Sequence, residues 1–123
     1  MKIALLQITS SDDPTANLLM LESMIREAAA SGAEFVFTPE VTNCLSTSRT
    51  HQEAVLSHED ADPMLSRVQE LCSELGIWVN LGSLAIKTTD QDGRFANRSF
   101  VIDATGDVVA RYDKIHMFDV DVS

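Results

Sequence analysis

The chain has 123 residues, 45% of them apolar, and its 9 basic and 19 acidic side chains give a net charge of −10. That length suits one domain able to bury a core without disulfides or a structural metal, and the apolar fraction excludes a disordered chain. The acidic balance repels phosphate backbones and anionic lipid, so neither nucleic acid nor a membrane is an expected partner.

Residues 2–8 are short, apolar and followed by a polar Thr-Ser-Ser-Asp-Asp turn, which predicts a buried strand. Asp13 and Pro14 then form a helix start, an N-cap followed by proline at the first helical position. Leu18, Leu21, Ile25, Ala28 and Ala29 recur at helical spacing, while Glu22, Arg26 and Glu27 fit a wetter face. Gly32 stops that helix by supplying a left-handed residue. Phe35, Val36 and Phe37 form a second buried strand, so residues 2–38 make one strand-helix-strand unit with parallel strands.

Residues 41–62 are polar without a sustained period, which predicts a long loop beginning directly after Glu40. A second helix starts at Asp62-Pro63, buries Leu65, Val68, Leu71, Cys72 and Leu75, and ends at Gly76. Residues 77–81 read as a third strand continuing past Gly82 through residues 84–86, with Trp78 as core filling. Residues 90–93 read as a turn, residues 95–102 as a fourth strand, residues 103–106 as another turn, and residues 108–112 as a fifth strand. Two turns so close together imply antiparallel neighbours and therefore a mixed sheet.

Cys44 and Cys72 are too few for a disulfide framework and lack metal-ligand spacing, so they read as free thiols in a reducing compartment. The apolar run near the start is too short for a signal peptide, and no stretch approaches the roughly 20 apolar residues of a membrane span. A cytoplasmic location is expected.

Glu40 and Lys114 carry the chemical signal. Each sits where an apolar strand-like run ends, and in open α/β sheets that edge is where ligands bind. A carboxylate and an ammonium brought together there can serve as base and oxyanion stabiliser, but the residues alone supply no evident nucleophile.

The segment Phe37-Thr38-Pro39-Glu40, the run from Asn97-Arg98-Ser99 to Asp103, and the run from Gly106 through Tyr112-Asp113-Lys114-Ile115-His116 closely resemble the nitrilase, or carbon-nitrogen hydrolase, superfamily. Within it, Tyr112-Asp113-Lys114-Ile115-His116-Met117-Phe118-Asp119 looks most like the amidase branch acting on ω-amides and deaminated glutathione. The resemblance implies an α/β fold that is half of an αββα sandwich, with a mixed, mostly buried sheet and two helices on one face. It also implies a Glu-Lys-Cys triad in which Glu40 matches the general base and Lys114 the lysine that stabilises the tetrahedral intermediate.

In that family the nucleophilic cysteine lies on a strand-to-helix turn well downstream of the lysine. The 123 residues are therefore expected to form one incomplete domain, an N-terminal half that is inactive alone. The resemblance implies a small-molecule amide substrate, no cofactor, no metal, and a homo-oligomer in the full-length form. The alternative is a non-catalytic module of the same fold that pairs with another chain through its exposed sheet.

The remaining candidates read more plainly. Cys44 is close to Glu40 in sequence but is assigned no chemistry, and Cys72 packs as a small hydrophobe. His116 reads as a structural hydrogen-bonding residue, Asn97 as either a turn residue or a neighbour of the Glu40 strand end, and His51 and His58 have no partner spacing.

Overall fold

A computed structural model of the protein describes residues 1–88 and 95–114. The turn expected at residues 90–93 and the whole of residues 115–123, His116 included, lie outside the described residues.

Two helices begin and end where the sequence dictates. Helix α1 spans Pro14–Ala30, and the Asp13 carboxylate accepts the free Thr15 and Ala16 amides at its start. Proline at the first position sacrifices no helical hydrogen bond, because that amide has no partner in the helix. Gly32 follows at φ +97°, a conformation that costs a Cβ-bearing residue and costs glycine little. A short helix α2 covers Arg49–Val55, and a 3₁₀ turn covers Glu59–Ala61. Helix α3 spans Pro63–Leu75, capped by Asp62 at one end and by Gly76 at the other.

Five strands, β1 (Ile3–Leu5), β2 (Phe35–Phe37), β3 (Trp78–Lys87), β4 (Phe95–Ile102) and β5 (Val108–Asp113), form one sheet in that spatial order. The first three are parallel, and the last two return as antiparallel neighbours, so the sheet is mixed and the fold is α/β. Helices α1 and α3 pack on one face. Leu21, Ile25, Leu65, Val68, Leu71 and Cys72 meet Val36, Val79, Leu81, Phe100 and Ile102 there in a single core.

Side chains alternate along a strand, and the other face carries the complementary set: Ile3, Leu5, Phe35, Phe37, Trp78 and Tyr112. The Phe35 and Phe37 rings stack at 4.6 Å, and Phe35 lies 5.8 Å from Trp78.

Three expectations are corrected here. Strand β1 is shorter than residues 2–8 and is not buried: Ile3 and Leu5 are exposed at 54% and 75%, because they point away from the helices at the sheet edge. Trp78 is not core filling. It stands on the uncovered face at 39% exposure, and in β2 only Val36 is fully buried, for the same reason of alternation. The segment of residues 41–62 is not loop throughout, since α2 and the 3₁₀ turn lie within it; Ser48 caps α2 by accepting the His51 amide.

Candidate active site

Glu40 lies on the turn just past β2, and Lys114 directly follows β5. Strand β5 is antiparallel to β4, which is antiparallel to β3, so β5 and β2 run in the same direction. Their carboxyl ends reach one edge of the sheet, where ligands settle in open α/β folds. There Lys114 Nζ donates to Glu40 Oε2 at 3.2 Å, joining residues far apart in sequence. Lys114 continues the alternate row of Ala110 and Tyr112, which places it on the open side of the sheet. The pair is accessible: the Glu40 side chain is 69% exposed and the Lys114 side chain 34%. An exposed ion pair stabilises a fold by only about 0–1 kcal/mol, so folding stability is a weak reason for it.

Charged groups hold the lysine. The Lys114 amide donates to the Asn97 carbonyl at 2.9 Å, which locates Asn97 beside the site through its backbone. One residue earlier, Asp113 receives both Nε and Nη2 of Arg98, its cross-strand partner. Arg98 Nη1 also donates to Glu59 at 3.0 Å, and Arg111 reaches the second Glu59 oxygen at the same distance. The hydrogen-bonded Asp113 carboxylate, with Glu59, pushes the Arg98 guanidinium still higher than its usual range against the opposing effect of burial.

Neutral groups hold the glutamate. Strand β3 shifts register between Leu81 and Leu84, and the residues of that bulge reach across to the turn. The Thr38 amide donates to the Asn80 carbonyl at 3.0 Å, and Thr38 Oγ1 accepts the Gly82 amide at 3.1 Å. On the far side of Glu40, the Val41 amide donates to Ser83 Oγ at 2.8 Å and the Thr42 amide to the Ser83 carbonyl at 3.0 Å. Thr42 Oγ1 turns back to the Pro39 carbonyl at 2.5 Å. Asn43 continues the strap, exchanging two 2.8 Å bonds with the Ala85 backbone.

Two backbone features mark how close this approach is. A Cβ at Gly82 would lie 2.3 Å from the Thr38 carbonyl oxygen, so no larger residue fits. Val41 has φ +45°, a left-handed conformation that is an outlier for a β-branched residue and costs about 1–3 kcal/mol.

Neither cysteine joins this site. Cys44 is 2% exposed, and its thiol faces the Asp12 carbonyl at 3.5 Å. Burial pushes that thiol's pKa up, and the Asp12 and Asp13 charges add to the effect. Cys72 is fully buried on α3, and burial raises its thiol to about 12. Both are therefore poor sources of thiolate. His51 Nε2 contacts the Asp12 carbonyl at 2.6 Å, and His58 forms a bridge with Lys87. Among the described residues no group of three or more His, Cys, Asp and Glu is placed to hold a metal, and no helix is long and apolar enough to cross a membrane.

Sequence reasoning missed the hydroxyls of Thr38, Thr42 and Ser83. They touch backbone near the charged pair and belong to no chemical motif; the one signal was Gly82 inside a strand, which marks a bulge or a close backbone approach.

Known proteins match this chain along nearly its whole length. The carbon-nitrogen hydrolase family matches residues 2–123. A deaminated glutathione amidase from Yersinia enterocolitica is 32% identical over 120 residues, covering 98% of this chain and 41% of that protein. The crystal structure of the Caenorhabditis elegans NitFhit protein superposes with a TM-score of 0.83 at 29% identity, over 98% of this chain and 29% of that one. An amidase from Nesterenkonia sp. AN1, of the nitrilase superfamily and solved in complex with butyramide, gives 0.75 at 25% identity, over 96% and 44%. The chain thus spans about two fifths of the curated amidase from Yersinia enterocolitica.

Proposed function

The chain belongs to the carbon-nitrogen hydrolase family, and we propose that it forms the Glu-Lys half of an amidase site that hydrolyses a small non-peptide amide, an ω-amide or one resembling deaminated glutathione. The observation that carries this reading is the 3.2 Å contact between Lys114 and Glu40 at the carboxyl ends of β5 and β2. A relative named deaminated glutathione amidase and a structural neighbour, an amidase, solved in complex with butyramide support the substrate class.

Glu40 is the general base and Lys114 the oxyanion stabiliser. The nucleophile is a cysteine supplied from outside these 123 residues, because both thiols within them are buried and held protonated. Glu40 takes the thiol proton, and the thiolate attacks the amide carbonyl. The carbonyl π electrons move to oxygen, where the Lys114 ammonium stabilises the negative charge. Collapse re-forms the carbonyl and breaks the C–N bond, while the protonated Glu40 gives its proton to the departing ammonia. Water then enters, loses a proton to Glu40 and attacks the thioester. The second tetrahedral species expels the thiolate, which recovers the proton as the acid product leaves. On this reading the 123 residues form one incomplete domain and turn over no substrate alone.

The test is amide-dependent ammonia release by the polypeptide that carries these residues together with the nucleophile. Glu40→Gln abolishes acylation, since an amide cannot accept the thiol proton. Lys114→Ala lowers kcat by roughly 10²–10³-fold, the cost of one lost oxyanion donor. Cys44→Ala leaves kcat essentially intact. Full activity in Glu40→Gln, or its loss in a folded Cys44→Ala, overturns these roles.

The uncovered apolar sheet face favours a second reading, a non-catalytic module that pairs through this face with another chain. The reading frame after Ser123 separates the two: a strand ending in cysteine before a helix supports the amidase, and a stop codon supports the module.

A further inference from the structure

Glu40 itself has one hydrogen-bonding partner among the described contacts, the Lys114 ammonium, yet general-base chemistry requires its carboxylate to be held within a narrow geometry. The peptide units on either side of it supply that restraint. The unit before Glu40 ends in the Pro39 carbonyl, which accepts from Thr42 Oγ1 at 2.5 Å. The unit after Glu40 ends in the Val41 amide, which donates to Ser83 Oγ at 2.8 Å. Both hydroxyl-bearing residues are buried, Thr42 at 1% and Ser83 at 0% exposure. Two hydroxyls therefore fix the backbone on both sides of one exposed carboxylate.

We propose that Thr42 and Ser83 are positioning residues for Glu40: their hydroxyls clamp its two flanking peptide units and so set where the carboxylate points. The inference rests on the reading of Glu40 as the general base. Ser83 does the harder part. Val41 is held at φ +45°, a conformation it leaves readily if its amide loses an acceptor, and leaving it rotates the Glu40–Val41 peptide. Gly82 lets the clamp close, because only a residue without Cβ clears the Thr38 and Pro39 backbone. Thr42 also bonds Thr38 Oγ1 at 3.0 Å and gives its amide to the Ser83 carbonyl at 3.0 Å, which couples the two halves of the clamp.

The experiment measures kcat and KM for ammonia release from a simple amide, in the polypeptide carrying the nucleophile, for Ser83→Ala, Thr42→Val, Ser83→Thr, Thr42→Ser and Glu40→Gln. Displacing a reacting group by about 1 Å costs up to ~100-fold, so Ser83→Ala and Thr42→Val are expected to lower kcat by roughly 10- to 100-fold with KM nearly unchanged. Ser83→Thr and Thr42→Ser, which keep the hydroxyls, restore kcat. Amide exchange at Val41 accelerates in Ser83→Ala and returns to the parent rate in Ser83→Thr.

Unchanged kcat in folded Ser83→Ala and Thr42→Val, with Glu40→Gln inactive, overturns the positioning role and leaves the base assignment standing. An active Glu40→Gln overturns the base assignment and the inference with it. If Ser83→Ala fails to fold, Thr42→Val supplies the reading; failure of both makes the hydroxyls purely structural and overturns the proposal.

Discussion

The two faces of the sheet both present large apolar side chains and meet opposite fates. Val36, Val79, Leu81, Phe100 and Ile102 lie beneath α1 and α3 with 0% exposure. On the opposite face, Phe35 and Phe37 of β2, Trp78 of β3 and Tyr112 of β5 point away from the helices, with Tyr112 63% exposed. Burial of apolar surface is what drives packing, so the first row is a finished core and the second remains a surface on which cover would be favourable. The Glu40–Lys114 pair stands at the edge of the second face. The proposed chemistry therefore belongs to the side of the molecule whose packing these residues leave open, and the helical side serves as its backing.

The largest expected effect tests the finished side. Phe100→Ala removes a fully buried ring from the centre of the core and should lower unfolding free energy by about 3–5 kcal/mol in urea titrations. Trp78→Ala in the same 123 residues should cost less than about 1 kcal/mol, since Trp78 is 39% exposed on the uncovered face. The contrast breaks if the two variants cost the same. It sharpens if Trp78→Ala becomes several-fold more costly in a longer polypeptide, which would show that the second face is then covered.

The next effect is on association. The 123-residue chain alone should bind a hydrophobic dye or self-associate through Leu5, Phe37 and Tyr112, and Leu5→Lys with Tyr112→Lys should reduce both while changing Tm little. Light scattering and dye fluorescence read this directly. A monodisperse monomer that ignores the dye would show that the open face is tolerated as it stands.

These two faces also explain what could be read from the sequence. An apolar strand flanked by turns looks identical whether its second face is covered or not, which is why Ile3, Leu5 and Trp78 read as core in the sequence and stand exposed in the fold. Helices α1 and α3 were legible to within a residue because Asp13-Pro14, Gly32, Asp62-Pro63 and Gly76 are local instructions, satisfied by backbone chemistry before any tertiary contact forms. Helix α2 carried no such signal: it buries no residue, so Arg49–Val55 has no apolar stripe, and only the Ser48 cap announces it. In the site, Glu40 and Lys114 were visible as charges at strand ends. Thr42 and Ser83 were not, because a hydroxyl that holds backbone has no spacing rule and becomes meaningful only when the β3 bulge is laid beside the turn.

A smaller effect concerns acid, and it again separates the two sides. On the outer surface of the helical layer, Glu22 of α1 accepts from Arg67 of α3 at 2.7 and 2.9 Å and from Arg26 at 3.2 Å, and Arg26 reaches Glu74 at 2.6 Å. Hydrogen bonding from Arg67 is the main cause that holds the Glu22 carboxyl down, from 4.5 to about 2, opposed by burial and helped by Arg26. Because the folded value lies below the unfolded one, the stability this group contributes is fully present above pH 4.5 and is lost as pH falls toward 2. Arg67→Met keeps much of the aliphatic stem and removes the guanidinium, so it should flatten the acid limb of stability between those values and lower stability at pH 7 by the same amount, the two proteins converging toward pH 2. Urea midpoints measured at several pH values for the parent and Arg67→Met provide the comparison. Parallel acid limbs in the two proteins would mean that the Arg67–Glu22 pair contributes nothing to the stability of the covered side, leaving apolar packing and the Arg26–Glu74 contact to join α1 to α3 behind Glu40 and Lys114.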